Sequence, residues 1–326
     1  MSPRTLLLAA AVSLLLVGSA AGTVGFIRLG SAGSKAVHQP VPTATPTAVV
    51  PPATPAPTRT PTPAPYDHVV VVVLENHSFE SVIGNPRAPF LNSFANRWSL
   101  ATGYSGVSHP SLPNYLALIG GTTFGISSDC TNCYVNAQSL PDRLEAAGKT
   151  WKSYQEGMPS ACFAGSSGLY AQKHDPFIYF DPIRNDLARC ARIVPYGQLA
   201  SDFAAPATAP NFAFVTPNLC NDGHDCALST TDAWLARELP RLMLSPAFEG
   251  SRSLLVITYD EGEGGSDRVA TVLAGSGVKS GFQSAVAYDH YSLLRTIESL
   301  WGLAPLAPGD ERATAMTDFF SSPAQT

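Results

Sequence analysis

The apolar pattern of this chain is densest from Val69, where five valines and a leucine run without alternation up to Glu75 and Asn76. A run of that kind predicts a strand buried on both faces, as in the centre of a parallel sheet. Residues 211–216 and 253–259 repeat the pattern, and residues 150–154 and 269–274 read as two more strands. Between them lie stretches with helical spacing. Residues 89–98 carry Phe90, Leu91 and Phe94 on one side, residues 115–119 are an apolar helical run, and residues 139–147 end at Gly148. Residues 232–239 are amphipathic and stop or kink at Pro240, while residues 288–302 hold a helix with Leu293, Leu294, Ile297, Leu300 and Trp301 on its apolar face. Residues 155–192, rich in aromatics and turn formers, read as loops over one end of the sheet. Strands alternating with helices predict an α/β fold: a mostly parallel central sheet with helices on both faces.

Three of these strands run straight into polar residues. Glu75 and Asn76 follow the first, Asn218, Asp222, His224 and Asp225 follow the strand at 211–216, and Asp260 and Glu261 follow the strand at 253–259. Strands of a parallel sheet share one carboxyl edge, and ligands of open α/β sheets bind there. A lone Glu-Asn pair is better explained as the solvated exit of a strand, but three converging endings call for a site. Ser111, between Pro110 and Pro113, stands at or just before a helix N-terminus. Free N–H groups and the positive dipole end suit a phosphate or an oxyanion there, although a serine in that place also serves as a plain helix cap.

The N-terminus lies apart from this pattern. Arg4, an apolar run from Leu6 to Val17 and small residues at Gly18, Ser19, Ala20 and Ala21 have the layout of a secretory signal peptide. The weakly polar run continues to Leu29, so residues 1–29 are either a cleaved signal or a membrane anchor; both readings export the rest of the chain. Residues 30–65 form a Pro/Thr-rich linker, with 10 prolines and 7 threonines between Pro40 and Pro65, too poor in apolar residues to pack a core. Residues 66–326 are then the catalytic domain. They carry 16 basic against 25 acidic residues, a net charge of −9, which argues against nucleic acid as a partner. Six cysteines in an exported chain point to disulfides. Cys130 with Cys133, or Cys220 with Cys226, would staple short loops and Cys162 with Cys190 a longer one, but six cysteines allow about 15 pairings. Zinc at the Cys-x-x-Cys is the weaker reading, since no second pair accompanies it.

Oxygen and imidazole ligands without thiolate suit hard or borderline divalent cations: Mg, Ca, Mn or Zn, one ion or two. Beside a serine hydroxyl, such an ion lowers its pKa and neutralises a transferring phosphoryl group. A Ser-His-Asp hydrolase is the competitor. It lacks the Gly-x-Ser-x-Gly elbow and leaves Glu75, Asp260 and Glu261 without work.

ENHSF at 75, HPSLPNYLALIGG at 109, PNLCNDGHD at 217, TYDEGEGG at 258 and DHYSLLRTIESLWGL at 289 resemble the successive motifs of the bacterial and fungal phosphoesterase family. That family, which includes secreted acid phosphatases and more distantly phospholipases C, belongs to the alkaline phosphatase-like superfamily. The resemblance spans about residues 66–305 and extends to the secreted acid phosphatases of mycobacteria. It implies Glu75, Asp260 and Glu261 as metal ligands and Ser111 as the nucleophile, itself a metal ligand. Asn114 is then expected to steady phosphate oxygens, and Asn76 to meet the metal or the phosphate. Asn218, Asp222, His224 and His290 are expected at a second metal or a phosphate cluster, His224 with a catalytic part and Asn218 with a phosphate-binding one. His109 and His174 are further candidates for contact with substrate. A Glu after the first strand and an Asn for an expected Asp depart from the two-zinc pattern and leave the metal count open.

The resulting expectation is an exported, metal-dependent phosphomonoesterase acting as a monomer on a small phosphorylated substrate. A phospholipase C-type phosphodiesterase and a non-catalytic stalked binding module are the alternatives.

Overall fold

The computed structural model describes residues 65–321, and the candidate signal or anchor and nearly all of the linker lie outside them. The strands are β1 (His68–Leu74), β2 (Ser99–Ala101), β3 (Tyr104–Ser105), β4 (Trp151–Gln155), β5 (Ile193–Pro195), β6 (Phe212–Thr216), β7 (Ser253–Tyr259), β8 (Thr271–Gly275), β9 (Phe282–Ser284) and β10 (Tyr288–Asp289). Eight form one sheet in the order β5-β4-β6-β1-β7-β8-β2-β9, and β3 pairs separately with β10. Only β8 is antiparallel to its neighbours; all other ladders in the sheet are parallel. The α/β reading with a mostly parallel sheet is what the chain adopts.

Every residue of β1, β6 and β7 is buried, so both faces are covered at the sheet's centre. This is why those strands read as unbroken apolar runs and not as alternation. The helix Ser111–Gly120 packs on the helix His290–Trp301, and Pro89–Arg97 packs on Leu228–Met243. Leu293, Leu294 and Ile297 are buried as expected, with Leu300 and Trp301 only partly so. The helix Leu140–Ala146 opens on a capping box, in which the Ser139 amide donates to Asp142 at 2.7 Å. Gly121 ends the Ser111 helix in the left-handed region at φ +70°, and a Cβ there would meet Asp310 Oδ1 at 2.0 Å. Only glycine fits both conditions.

The structure differs from the sequence expectation in three places. The helix Leu228–Met243 starts four residues before 232 and runs through Pro240, because Leu228, Leu239 and Leu242 are all drawn into the core. The strands β2, β5 and β9 have three residues each, too few to leave a periodic signature. Residues 155–192 carry short helical turns at Gln172–His174, Pro176–Tyr179, Asp181–Arg184 and Leu187–Cys190. No helix among the described residues is long and apolar enough to cross a membrane.

Three disulfides close: Cys130–Cys133, Cys162–Cys190 and Cys220–Cys226. With Cys130 and Cys133 bonded to each other, no thiolate is left there for zinc. The Cys162–Cys190 bridge spans 28 residues and ties the loop layer to itself. Replacing both cysteines by alanine should lower unfolding free energy by about 3.5 kcal/mol through the freed loop entropy. Guanidinium unfolding of the double variant measures it; a loss under about 1 kcal/mol would mean the bridge contributes little.

Candidate active site

Because β6, β1 and β7 are adjacent and parallel, Asp222, Glu75 and Asp260 meet at one edge. The backbone knits them together: Glu75 N donates to the Asp222 carbonyl at 3.0 Å, and Asp260 N to the Leu74 carbonyl at 2.9 Å. Asn76 turns the chain away in the left-handed region at φ 54°, and its amide donates to Asp260 Oδ1 at 3.1 Å. All three carboxylates are fully buried.

Ser111 is the first residue of its helix, after Pro110 at the N-cap, and is buried. Its hydroxyl donates to Glu75 Oε2 at 3.0 Å. Tyr115, one helical turn on and therefore on the same face, donates its phenol to the other oxygen, Oε1. The Tyr115 ring stacks on His174 at 5.3 Å and 12°. His174 in turn lies 3.3 Å from Glu75 Oε2 through Nε2 and 3.3 Å from Asp222 Oδ2 through Nδ1. His224 closes the group: its Nδ1 is held by Asp225 at 2.7 Å, and its Nε2 lies 3.2 Å from Lys173 Nζ. Lys173 also binds Asp129 Oδ2 at 2.8 Å.

So much buried acid carries an electrostatic cost. Burial, then the charges of Asp260 and Asp222, holds Glu75 well above the usual carboxylate range. Burial likewise pushes Asp222 up to about 8, and burial followed by the charge of Glu261 pushes Asp260 up to about 7. Glu261 rises to about 7 through burial and then the charge of Asp129. His174 is held well below its ordinary value by burial, then by Lys173 and His224, and is neutral.

This donor set fits a divalent cation. Glu75, His174 and His224 each offer one atom, all within 4.8 Å of one another. His174 Nε2, Asp222 Oδ2 and Asp260 Oδ2 are buried without a hydrogen bond. Repelling carboxylates and unpartnered nitrogen and oxygen atoms around one point are what a cation would resolve.

The remaining expected residues are placed differently. Asn114 is buried, its Oδ1 accepting from Val107 N and Ser108 N at 2.8 and 3.0 Å and its Nδ2 donating to the carbonyls of Ser108 and Pro110. It braces the loop before Ser111. Asn218 Oδ1 caps the turn at Cys220 and Asn221, 3.1 Å from each amide. His290 is buried, with Nε2 on the Asp260 carbonyl at 2.6 Å and Nδ1 on Tyr104 at 3.0 Å, so both ring nitrogens are engaged. His109 is half-exposed, 2.6 Å from Glu261 Oε2 and 3.0 Å from Asp267.

Sequence reasoning passed over Tyr115, Lys173 and Asp129. The spacing of Tyr115 from Ser111 was a usable signal. Lys173 sits in a single three-residue helical turn and Asp129 in a loop, where no periodicity points to them.

The sequence profile of the phosphoesterase family matches residues 85–304. A phosphatidylinositol-3-phosphatase of Mycobacterium tuberculosis is 37% identical over 243 residues, covering 73% of this chain and 78% of that protein. A probable acid phosphatase of Kluyveromyces lactis is 31% identical over 267 residues, covering 78% of this chain but 62% of the yeast protein. Among solved structures, an alkaline phosphatase superfamily protein of Vibrio parahaemolyticus superposes with a TM-score of 0.53 at 14% identity, over 78% of this chain and 74% of that one, a likeness of fold. The chain belongs to the phosphoesterase family and is a phosphoric ester hydrolase.

In metal-stripped protein the raised carboxylates set a pH dependence of stability. Asp222, Asp260 and Glu261 keep their protons when folded up to about pH 7 to 8, while the unfolded chain loses them near 4. The unfolded state thus binds fewer protons between those limits, and stability falls as pH rises from about 4.5 to 8. Thermal midpoints taken across that range in a chelator should decline, and a divalent cation should remove most of the decline. A flat profile without metal would refute the buried, uncompensated cluster.

Proposed function

We propose that this phosphoesterase is an exported phosphomonoesterase that uses Ser111 as nucleophile and a divalent cation as cofactor. The observation that carries the reading is Ser111 Oγ, held 3.0 Å from Glu75 at the opening of a helix, beside buried acids and an imidazole with unpartnered atoms. Glu75, Asp260 and Glu261, with His174 and His224 beside them, would hold the cation. When bound, it supplies Lewis acidity that lowers the serine pKa and offsets phosphoryl charge.

Ser111 Oγ forms its bond to phosphorus as the bond from phosphorus to the leaving oxygen breaks. Glu75 Oε2, already hydrogen-bonded to the hydroxyl, is the first acceptor for its proton. The first turn of the Ser111 helix has amides without intrahelical partners, a setting that suits the charge building on the phosphoryl oxygens. The leaving oxygen takes up the proton that Glu75 received, while Lys173, 3.2 Å from His224, offsets the charge that forms there. The oxygen of a water then bonds to phosphorus as the bond to Ser111 breaks, and the water's proton passes through Glu75 to Ser111 as phosphate departs.

Two features support a small monoester over a lipid diester. The polar cluster is compact, and an apolar cavity of about 580 Å³ lined by Tyr196, Leu199, Phe203, Leu242 and Pro246 shares no residue with it. The three disulfides, and the leader expected at residues 1–29, support export.

Hydrolysis of p-nitrophenyl phosphate should exceed that of its bis-ester, and Ser111→Ala should lower kcat by at least roughly 10³-fold. Chelation should abolish turnover, with recovery on adding back a divalent ion. Faster diester cleavage would replace the monoesterase reading. Activity that survives both chelation and Ser111→Ala would end the serine-metal reading.

A further inference from the structure

The segment after the Ser111 helix doubles back over that helix's own start. It brings Asp129 beside the nucleophile, where Oδ1 accepts from the Leu112 amide at 3.0 Å and Oδ2 from Lys173 Nζ at 2.8 Å. Leu112 follows Ser111 in the chain, and its amide is one of the free donors in the first turn of a ten-residue helix. Lys173 has three N–H groups and spends one on His224 and one on Asp129. A carboxylate therefore bridges a backbone amide and an ammonium next to Ser111. Two oxygens of a phosphoryl group would make the same pair of contacts, with more charge.

Independent features mark this place as a ligand's. His174 is only 2% exposed, its Nε2 has no hydrogen-bond partner, and it approaches the same Glu75 oxygen that holds Ser111. Asp129 is also set against an acidic neighbour, since its charge adds to the burial that raises Glu261. Removal of Asp129 would relieve that repulsion. The Asp129 side chain is 26% exposed, so it can swing to water without unpacking the core. Its neighbours stay anchored through the Cys130–Cys133 bridge and the 3.0 Å bond from Gln172 Nε2 to the Thr131 carbonyl.

We propose that the Leu112 amide and the Lys173 ammonium form a phosphoryl-oxygen subsite beside Ser111, and that Asp129 occupies it as a built-in competitor until a phosphate group displaces it. The proposal rests on the reading of Ser111 as phosphoryl acceptor. It makes Lys173 a binding residue and Asp129 a restraint on affinity for substrate and product alike.

The test is calorimetric binding of inorganic phosphate to the full metal-loaded chain, alongside KM and kcat for p-nitrophenyl phosphate. Asp129→Asn keeps the shape but loses the charge, and should tighten phosphate and lower KM by roughly 3- to 10-fold. Lys173→Gln should weaken phosphate by about tenfold or more and, combined with Asp129→Asn, leave the second change with under about a twofold effect. Asp129→Ser repeats the measurement should the first variant fold poorly. Weaker or unaltered phosphate binding on removing the Asp129 charge would overturn the proposal, leaving the carboxylate as a brace for Lys173. Tighter phosphate binding in a chain that hydrolyses no monoester would sustain the subsite and remove the Ser111 reading. Normal hydrolysis with phosphate binding unmoved would remove the subsite alone.

Discussion

The structure depends on one unfavourable arrangement, the burial of Glu75 at the end of β1 with Asp222 and Asp260 on either side. Isolated ionised carboxylates are strongly disfavoured in a protein interior, and three together more so. The surrounding elements bring donors to the problem. Ser111 and Tyr115 each give a hydroxyl to Glu75, the Asn76 amide gives to Asp260, the His224 amide gives to Asp222, and neutral His174 lies between two of the acids. These contacts soften the repulsion without cancelling it, as the raised proton affinities of all three acids record. Stability is given up here to keep an acid-rich, partly unsatisfied centre, which is the usual mark of a functional cluster and is hard to reconcile with a passive binding module.

Around that centre a second group of polar residues works on the backbone. Asn114 folds back to hold residues 107–110, Asn218 caps the turn that precedes Asp222, and His290 grips the Asp260 carbonyl while Tyr104 fixes its other nitrogen. The Cys220–Cys226 bridge closes the loop that carries Asp222 and His224. Loops with this many side-chain ties lose less entropy when a ligand arrives, so preorganisation adds to affinity alongside direct contact.

What the sequence made legible follows from period and from edge. β1, β6 and β7 were readable because full burial removes alternation, and parallel order then sent Glu75, Asp222 and Asp260 to one side without any knowledge of contacts. The Ser111 helix could be placed by its prolines. Three-residue strands at the margins carry no period and were invisible. Among site residues, the family resemblance could select Asn114, Asn218 and His290, but not tell whether an amide faces a ligand or its own backbone; that is decided by loop paths a few ångströms long. Lys173 and Asp129 were hidden for the same reason, since their partnership joins a short helical turn to a loop 44 residues away in the chain.

The length of the side chain at position 75 follows from this geometry. Glu75 must leave a fully buried strand and still set one oxygen on Ser111 and the other on Tyr115, two donors spaced one helical turn apart on a separate element. An aspartate would draw the carboxylate back by about 1.5 Å, beyond hydrogen-bond reach of the Ser111 hydroxyl now at 3.0 Å, unless the Ser111 helix moved inward. That helix cannot easily follow, because all ten of its residues are buried and Gly121 is packed against Asp310 at its far end. The glutamate is therefore the residue this helix position demands.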